Sequence, residues 1–157
     1  MRAVVLTVSD RVSAGAAEDL SGPSAAAALA ELGFETEVVV VPDGVESVET
    51  ALRRLVDEDV PLIVTTGGTG PAPRDLTPEG TLRVVGRRMP GLVEAMRHAT
   101  FGVVPHGMLS RGIAGTAGRT LIVNLPGSVK AVTEGIEVIG PVLDHAIALL
   151  REVPTGH

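Results

Sequence analysis

Residues 65–81, with the sequence TTGGTGPAPRDLTPEGT, combine residue types and spacing that suit phosphate binding. Gly67, Gly68 and Gly70 allow a sharp turn that brings backbone N–H groups close to a ligand. The segment is neither a Walker A loop, because no Gly-Lys-Ser/Thr follows the glycines, nor a G-x-G-x-x-G loop. A tight turn selected only for its shape is the alternative, but it would not require the neighbouring threonines, arginine and aspartate.

The surroundings of this glycine loop, Gly67–Gly70, favour the same chemistry. The apolar run Pro61–Val64 predicts a buried strand before it, and Pro78 predicts a helix start after it, with Thr77 as a candidate cap. A glycine turn between the carboxyl end of a strand and a helix N-terminus is a frequent phosphate site. The candidate phosphate- or nucleotide-binding residues are Thr66, Gly67, Gly68, Thr69 and Gly70.

Two aspartates are candidate metal ligands and catalytic residues. Asp75 follows the glycine loop, and Asp43 follows Pro42 at the end of another predicted strand. Mg²⁺ prefers one or two carboxylates together with phosphate oxygens and waters. The plainer alternatives are that Asp75 assists a helix start and that Asp43 belongs to a common Asp-Gly turn.

A second polar loop, Asn124–Ser128, ends another predicted strand with a Pro-Gly turn. Ser128 suits either a helix N-cap or a phosphate at the same helix start, and the sequence leaves both open. Ser110 and Arg111 form a further candidate segment, for which an ordinary loop cap is the alternative. Arg74, Arg111 and Lys130, which is the only lysine, are candidates for neutralising an anionic ligand.

Strand and helix patterns alternate along the chain, which predicts a three-layer α/β sandwich with a mostly parallel central sheet. Ligands bind to such folds outside the carboxyl ends of the strands, where all the polar glycine-containing loops are expected to lie. The predicted strands are Arg2–Val8, Glu35–Val41, Pro61–Thr66 and Thr120–Asn124. The last helix, from Lys130 to Arg151, is predicted to break near Gly140-Pro141.

Composition limits the classes of function. A length of 157 residues predicts a single domain over 1–157. The net charge of −6 and only two aromatic residues, both Phe, argue against nucleic acid as a partner. There is no cysteine, and the four histidines (His98, His106, His145 and His157) show no metal-binding spacing. No apolar run has the length of a membrane span, so a cytoplasmic location is expected.

Several motifs together resemble the molybdopterin-binding domain family of molybdenum cofactor biosynthesis, over nearly the whole chain. They are Thr65–Gly70, Arg74–Glu79, Met89–Gly91, Met108–Arg111 and Asn124–Ser128. The resemblance implies the family's three-layer fold, usually assembled as a homotrimer. Non-catalytic paralogues tend to lose the Pro-Ala-x-Arg-Asp segment, which is intact here at Pro71–Asp75.

The same resemblance implies a reaction: AMP passes from Mg-ATP to the terminal phosphate of molybdopterin, giving adenylyl-molybdopterin and pyrophosphate. The family's two functional aspartates match Asp43 and Asp75. The pterin phosphate is expected at Ser110 and at Pro126, Gly127 and Ser128. A carrier or scaffold domain that binds molybdopterin without catalysis is the alternative, since it would need neither Mg²⁺ nor ATP.

Overall fold

A computed structural model describes residues 1–155. The strands are β1 (Arg2–Val8), β2 (Glu35–Val41), β3 (Leu62–Thr66), β4 (Arg87–Arg88), β5 (Ala114–Ala117) and β6 (Thr120–Leu125). The helices are α1 (Asp10–Ser13), α2 (Ser21–Glu31), α3 (Val45–Asp57), α4 (Thr77–Leu82), α5 (Pro90–Ala99) and α6 (Val129–Leu150). A 3-10 helix, Pro105–Leu109, lies between α5 and β5.

The six strands form one mixed sheet in the order β2-β1-β3-β6-β5-β4. The first four in that order are parallel, whereas β5 pairs antiparallel with β6, and β4 antiparallel with β5. The mostly parallel sheet that the alternating pattern predicts is therefore confirmed, with an antiparallel edge added.

Alternate side chains of the buried strands build two separate cores, as the two-residue period of a strand requires. Ala3 and Val5 of β1 face a core that α2, α5 and α6 cover. Val4 and Leu6 face the other core, which α3 covers. Helices on both faces of the sheet give the predicted three layers.

The predicted break in the last helix is wrong, because α6 runs through Pro141 without interruption. Ile136, Ile139, Leu143 and Ile147 lie on both sides of the proline and are all buried in one core. Their packing outweighs the cost of about 3 kcal/mol for a proline inside a helix. Of the helices in residues 1–155, none combines the length and apolarity needed to cross a membrane.

Candidate active site

The carboxyl ends of the parallel strands lie side by side because the strands pair in register. Thr7 of β1 is opposite Thr66 of β3, and Thr66 is opposite Leu125 of β6. On the other side of β1, Val8 is opposite Val41 of β2. The polar loops that follow these strands therefore meet at one edge of the sheet, as predicted.

Gly67 lies where three of these strand ends touch. Its φ of +93° is in the left-handed region, and a Cβ added to it would lie 2.4 Å from the carbonyl oxygen of Val8. Across the other neighbouring strand, a Cβ added to Gly127 would lie 3.2 Å from the Cα of Gly67. Only glycine allows β1, β3 and β6 to end so close together.

The loop after Gly67 presents backbone N–H groups. Within residues 1–155, the N–H groups of Gly68, Thr69 and Gly70 donate to no protein acceptor. Gly68 has a φ of +65°, and Thr77 holds the loop from α4. The Thr77 hydroxyl donates to the Gly67 carbonyl at 2.9 Å, and its N–H donates to the Gly68 carbonyl at 3.1 Å. Successive free N–H groups of this kind form an anion-binding concavity.

Thr77 differs from its prediction as a helix cap. The helix starts at Thr77 itself, with Leu76 at the N-cap position, and the Thr77 hydroxyl points back to the glycine loop instead of to the helix. The prediction missed this because Ser and Thr before an apolar run are typical of both roles.

Buried polar side chains hold together the strand ends next to the glycine loop. The Thr66 hydroxyl donates to the Pro126 carbonyl at 2.9 Å, so its single proton joins the two glycine-containing loops. Asn124 is 1% exposed, and its Nδ2 donates to the hydroxyls of Thr65 and Thr81, each at 3.0 Å. Its Oδ1 accepts from the N–H of Ile113 at 3.2 Å. Asn124 thereby fixes the end of β6 against β3 and α4.

Asp43 lies beside the glycine loop in a reciprocal pair with Asp10. The N–H of Asp10 donates to Oδ2 of Asp43 at 2.9 Å, and the N–H of Asp43 donates to Oδ1 of Asp10 at 3.0 Å. Oδ1 of Asp43 lies 3.4 Å from the position of a Cβ added to Gly68. No signal in the sequence marks Asp10, because its role depends on the pairing of β1 with β2.

Asp75 lies beside the other end of the same loop. Its Oδ2 accepts from the N–H of Ala72 at 3.1 Å and lies 2.8 Å from the position of a Cβ added to Gly70. The structure thus brings both predicted aspartates to one loop, Asp43 at Gly68 and Asp75 at Gly70.

A cavity of about 710 Å³ opens over this edge of the sheet. Gly68, Thr69, Gly70 and Asp75 line one side of it, and Ser110 lines another. Pro126, Gly127 and Ser128 also line it, while Asp43 is outside the lining. The remaining wall is largely apolar and comes from α5, α6 and the segment between α5 and β5, with Val93, Met96, Val103, Leu109 and Val138.

Ser128 caps α6, since its side chain accepts from the N–H of Ala131 at 3.2 Å. The cap is one of the two roles that the sequence left open, and Ser128 also lines the cavity. Arg97, which sequence reasoning missed, supports the opposite wall by donating to the carbonyls of Ser110 and Gly112. It belongs to α5, where helical periodicity gives no sign of such a contact.

The three candidate cations have different surroundings. Arg74 is exposed, and Lys130 pairs with Glu134 at 3.7 Å beside the cavity. Arg111 hydrogen-bonds the carboxylate of Glu79, which raises the pKa of Arg111 and lowers that of Glu79. The charge of Arg111 is therefore already balanced within the protein.

Asp43 and Asp75 offer carboxylate oxygens to a divalent cation beside the glycine loop. Within residues 1–155, no group of three or more His, Cys, Asp or Glu side chains could hold a metal ion. Asp43 and Asp75 each use one oxygen for a protein N–H and keep the other one without a hydrogen bond from the described part of the chain. Carboxylate oxygens of this kind suit Mg²⁺, which takes few protein ligands and shares the phosphates of a bound ligand. Of the histidines, His106 lines the cavity, and His157 lies outside the described residues.

Comparisons with known proteins give matches over most of the chain. A family model described as "Probable molybdopterin binding domain" matches residues 4–145. The chain is 41% identical to a molybdopterin adenylyltransferase from Helicobacter pylori, over 93% of this chain and 85% of that protein. It is 42% identical to gephyrin from Dictyostelium discoideum over 96% of its own length, but it spans only 22% of gephyrin. The crystal structure of the molybdopterin biosynthesis enzyme MoaB from Thermus thermophilus superposes with a TM-score of 0.91 at 44% identity, over 98% of each chain.

Proposed function

This chain belongs to the molybdopterin-binding domain family, and on that premise we propose that it is an enzyme that transfers AMP from Mg-ATP to molybdopterin. Adenylyl-molybdopterin and pyrophosphate are the products. Relatives named molybdopterin adenylyltransferase, which align with more than nine-tenths of this chain at about 40% identity, support the proposal.

One observation supports the proposal most strongly: the free N–H groups of Gly68, Thr69 and Gly70 lie in one loop between two carboxylates. Three adjacent donors can bind the oxygens of a phosphate group.

The reaction requires mainly positioning. The terminal phosphate of molybdopterin is a monoester, already largely dianionic near neutral pH, and its oxygen attacks the α-phosphorus of ATP. The bond from that phosphorus to the bridging oxygen breaks, and pyrophosphate leaves with the electron pair. Because no general base is needed, the site's task is to hold two polyanions in line and to neutralise charge.

Asp43 and Asp75 would hold Mg²⁺ through their remaining oxygens. When bound, the ion supplies positive charge that offsets the repulsion between the phosphates. Loops on either side fix both carboxylates: Asp10 orients Asp43, and the N–H of Ala72 orients Asp75.

The opposite side of the cavity suits the pterin. Its apolar wall fits the face of a planar ring system, and Ser110 and Ser128 line the same space. Pro126–Ser128 lies at the N-terminus of α6, which is 22 residues long and favours an anion there. We therefore place the pterin phosphate between this turn and the glycine loop.

Pyrophosphate release on mixing the protein with molybdopterin and Mg-ATP tests the proposal. We expect pterin-dependent release that Asp75→Asn and Asp43→Asn each abolish, because both variants remove a metal-binding charge. Asp57→Asn, on the exposed end of α3, is the matched control and should release pyrophosphate normally.

Pterin that binds tightly without any pyrophosphate release would refute the enzyme and indicate a carrier or scaffold. Release that persists in Asp75→Asn would refute the metal role of that residue. The homotrimer, the single domain over 1–157 and the cytoplasmic location stay predictions.

A further inference from the structure

Arg111, in the segment before β5, contacts the glycine loop and the segment after it. Its Nε donates to the carbonyl of Gly70 at 2.9 Å, and its Nη2 donates to the carbonyl of Asp75. Its Nη1 binds the carboxylate of Glu79 in α4. Its backbone N–H donates to the carbonyl of Thr69 at 2.8 Å.

These contacts matter because residues 70–75 have no other hydrogen bonds to the rest of the described chain. Residues 70–75 contain two prolines, and positions 71–74 are all exposed. The hydrogen bonds between Ala72 and Asp75 are internal to the segment. In the part of the chain that the structure describes, every hydrogen bond that joins residues 70–75 to the rest of the protein comes from Arg111.

The chemistry of the side chain fits this task. A guanidinium group is planar and presents five donors in a fixed fork, so it can serve two carbonyls and a carboxylate at once. An ammonium group is a point charge on a flexible stem and cannot hold three acceptors in one plane. All three acceptors of Arg111 are protein atoms, which leaves the guanidinium little capacity for a substrate phosphate.

Arg111 also joins the two walls of the site. Ser110, the preceding residue, lines the cavity, and Arg97 fixes its carbonyl from α5. The backbone of residues 110–111 is thus held on one side by α5 and on the other by the glycine loop.

We propose that Arg111 is a positioning residue that fixes residues 70–75, and with them the aim of the Asp75 carboxylate, without touching the substrate. The kinetic part of the inference rests on the adenylyl transfer proposed above, whereas its structural part does not. A substrate-neutralising role, which the sequence alone suggested for Arg111, predicts different behaviour in the following test.

The test compares Arg111→Met and Arg111→Lys with Arg83→Met, whose exposed guanidinium pairs with Glu49 of α3 and lies away from the loop. The first measurement is hydrogen exchange of the Ala72 and Asp75 amides by nuclear magnetic resonance. The second is kcat and KM for molybdopterin and Mg-ATP. Thermal unfolding of each variant shows that it is folded.

We expect faster exchange of both amides in Arg111→Met and a kcat lower on the order of 10²-fold, the usual result of misplacing a catalytic group by about 1 Å. KM should change little, Arg111→Lys should restore neither property, and Arg83→Met should match the wild type. Amides that stay protected in Arg111→Met would overturn the inference. So would a full recovery of kcat in Arg111→Lys, because a point charge suffices to neutralise a phosphate.

Failure of the two proposals can be told apart. Wild-type protein that releases no pyrophosphate would refute the proposed enzyme. The exchange of the Ala72 and Asp75 amides would then decide alone whether Arg111 fixes the loop.

Discussion

Replacement of Gly67 by alanine should destabilise the protein through two separable effects. A left-handed backbone conformation costs an L-residue about 1–2 kcal/mol, and Gly67 has a φ of +93°. The new Cβ would also lie 2.4 Å from the carbonyl oxygen of Val8. Relief of this contact requires β1 and β3 to move apart at their ends, and overpacking of this kind costs about 1–3 kcal/mol. We expect Gly67→Ala to lose about 2–5 kcal/mol of the free energy of unfolding.

Gly118→Ala is the matched control, since Gly118 has a φ of +56° but nothing within 4 Å of an added Cβ. This variant should lose only the backbone part, about 1–2 kcal/mol. Urea unfolding at neutral pH measures both, provided that the m-values are equal. Equal destabilisation of the two variants would refute the argument that close approach of the strand ends selects glycine at position 67.

Two further predictions concern stability. Asn124→Leu leaves the N–H of Ile113 and the hydroxyls of Thr65 and Thr81 without their buried partner, so we expect the free energy of unfolding in urea to fall by about 2–4 kcal/mol. Thr50→Val, on the exposed part of α3, is the control. Equal stability of the two variants would contradict the buried network. Arg111 lowers the pKa of Glu79, so the stability that this pair contributes is present above the unfolded pKa of about 4.3 and is lost as the pH falls through the lower folded pKa. The free energy of unfolding of the wild type should therefore exceed that of Glu79→Gln by about 1 kcal/mol or less at pH 7, because the side chains of Arg111 and Glu79 are both partly exposed. The difference should vanish in acid, and a difference that grows in acid would contradict the sign of the pKa shift.

The parallel part of the fold was predictable from the sequence, for a physical reason. β1 and β3 are buried on both faces, so their residues form continuous apolar runs that need no knowledge of the partner strand. The antiparallel edge escaped prediction because β4 has only two residues and β5 consists of small residues and one threonine. Such strands exist through their pairing, which no local pattern encodes.

The candidate site was likewise predictable only in part. Glycines and aspartates at strand ends are visible in the sequence because turn chemistry requires particular residue types. The contacts of Asp10, Arg97 and Arg111 were not visible, since each depends on the approach of segments distant along the chain. Residue type suggested a substrate contact for Arg111, whereas its three acceptors in the structure all belong to the protein.

The contact between the glycine loop and the Pro126-Gly127 turn bears on when the site forms during synthesis. The hydrogen bond that joins Thr66 to Pro126 spans 60 positions of the chain. A growing chain that has reached only β3 already contains the glycine loop, but it lacks the strand and turn that complete the cavity. The site therefore forms only after β6 has paired with β3, a non-local and comparatively slow step. A bound substrate consequently stabilises the finished sheet as a whole, and folding intermediates that lack β6 gain nothing from it.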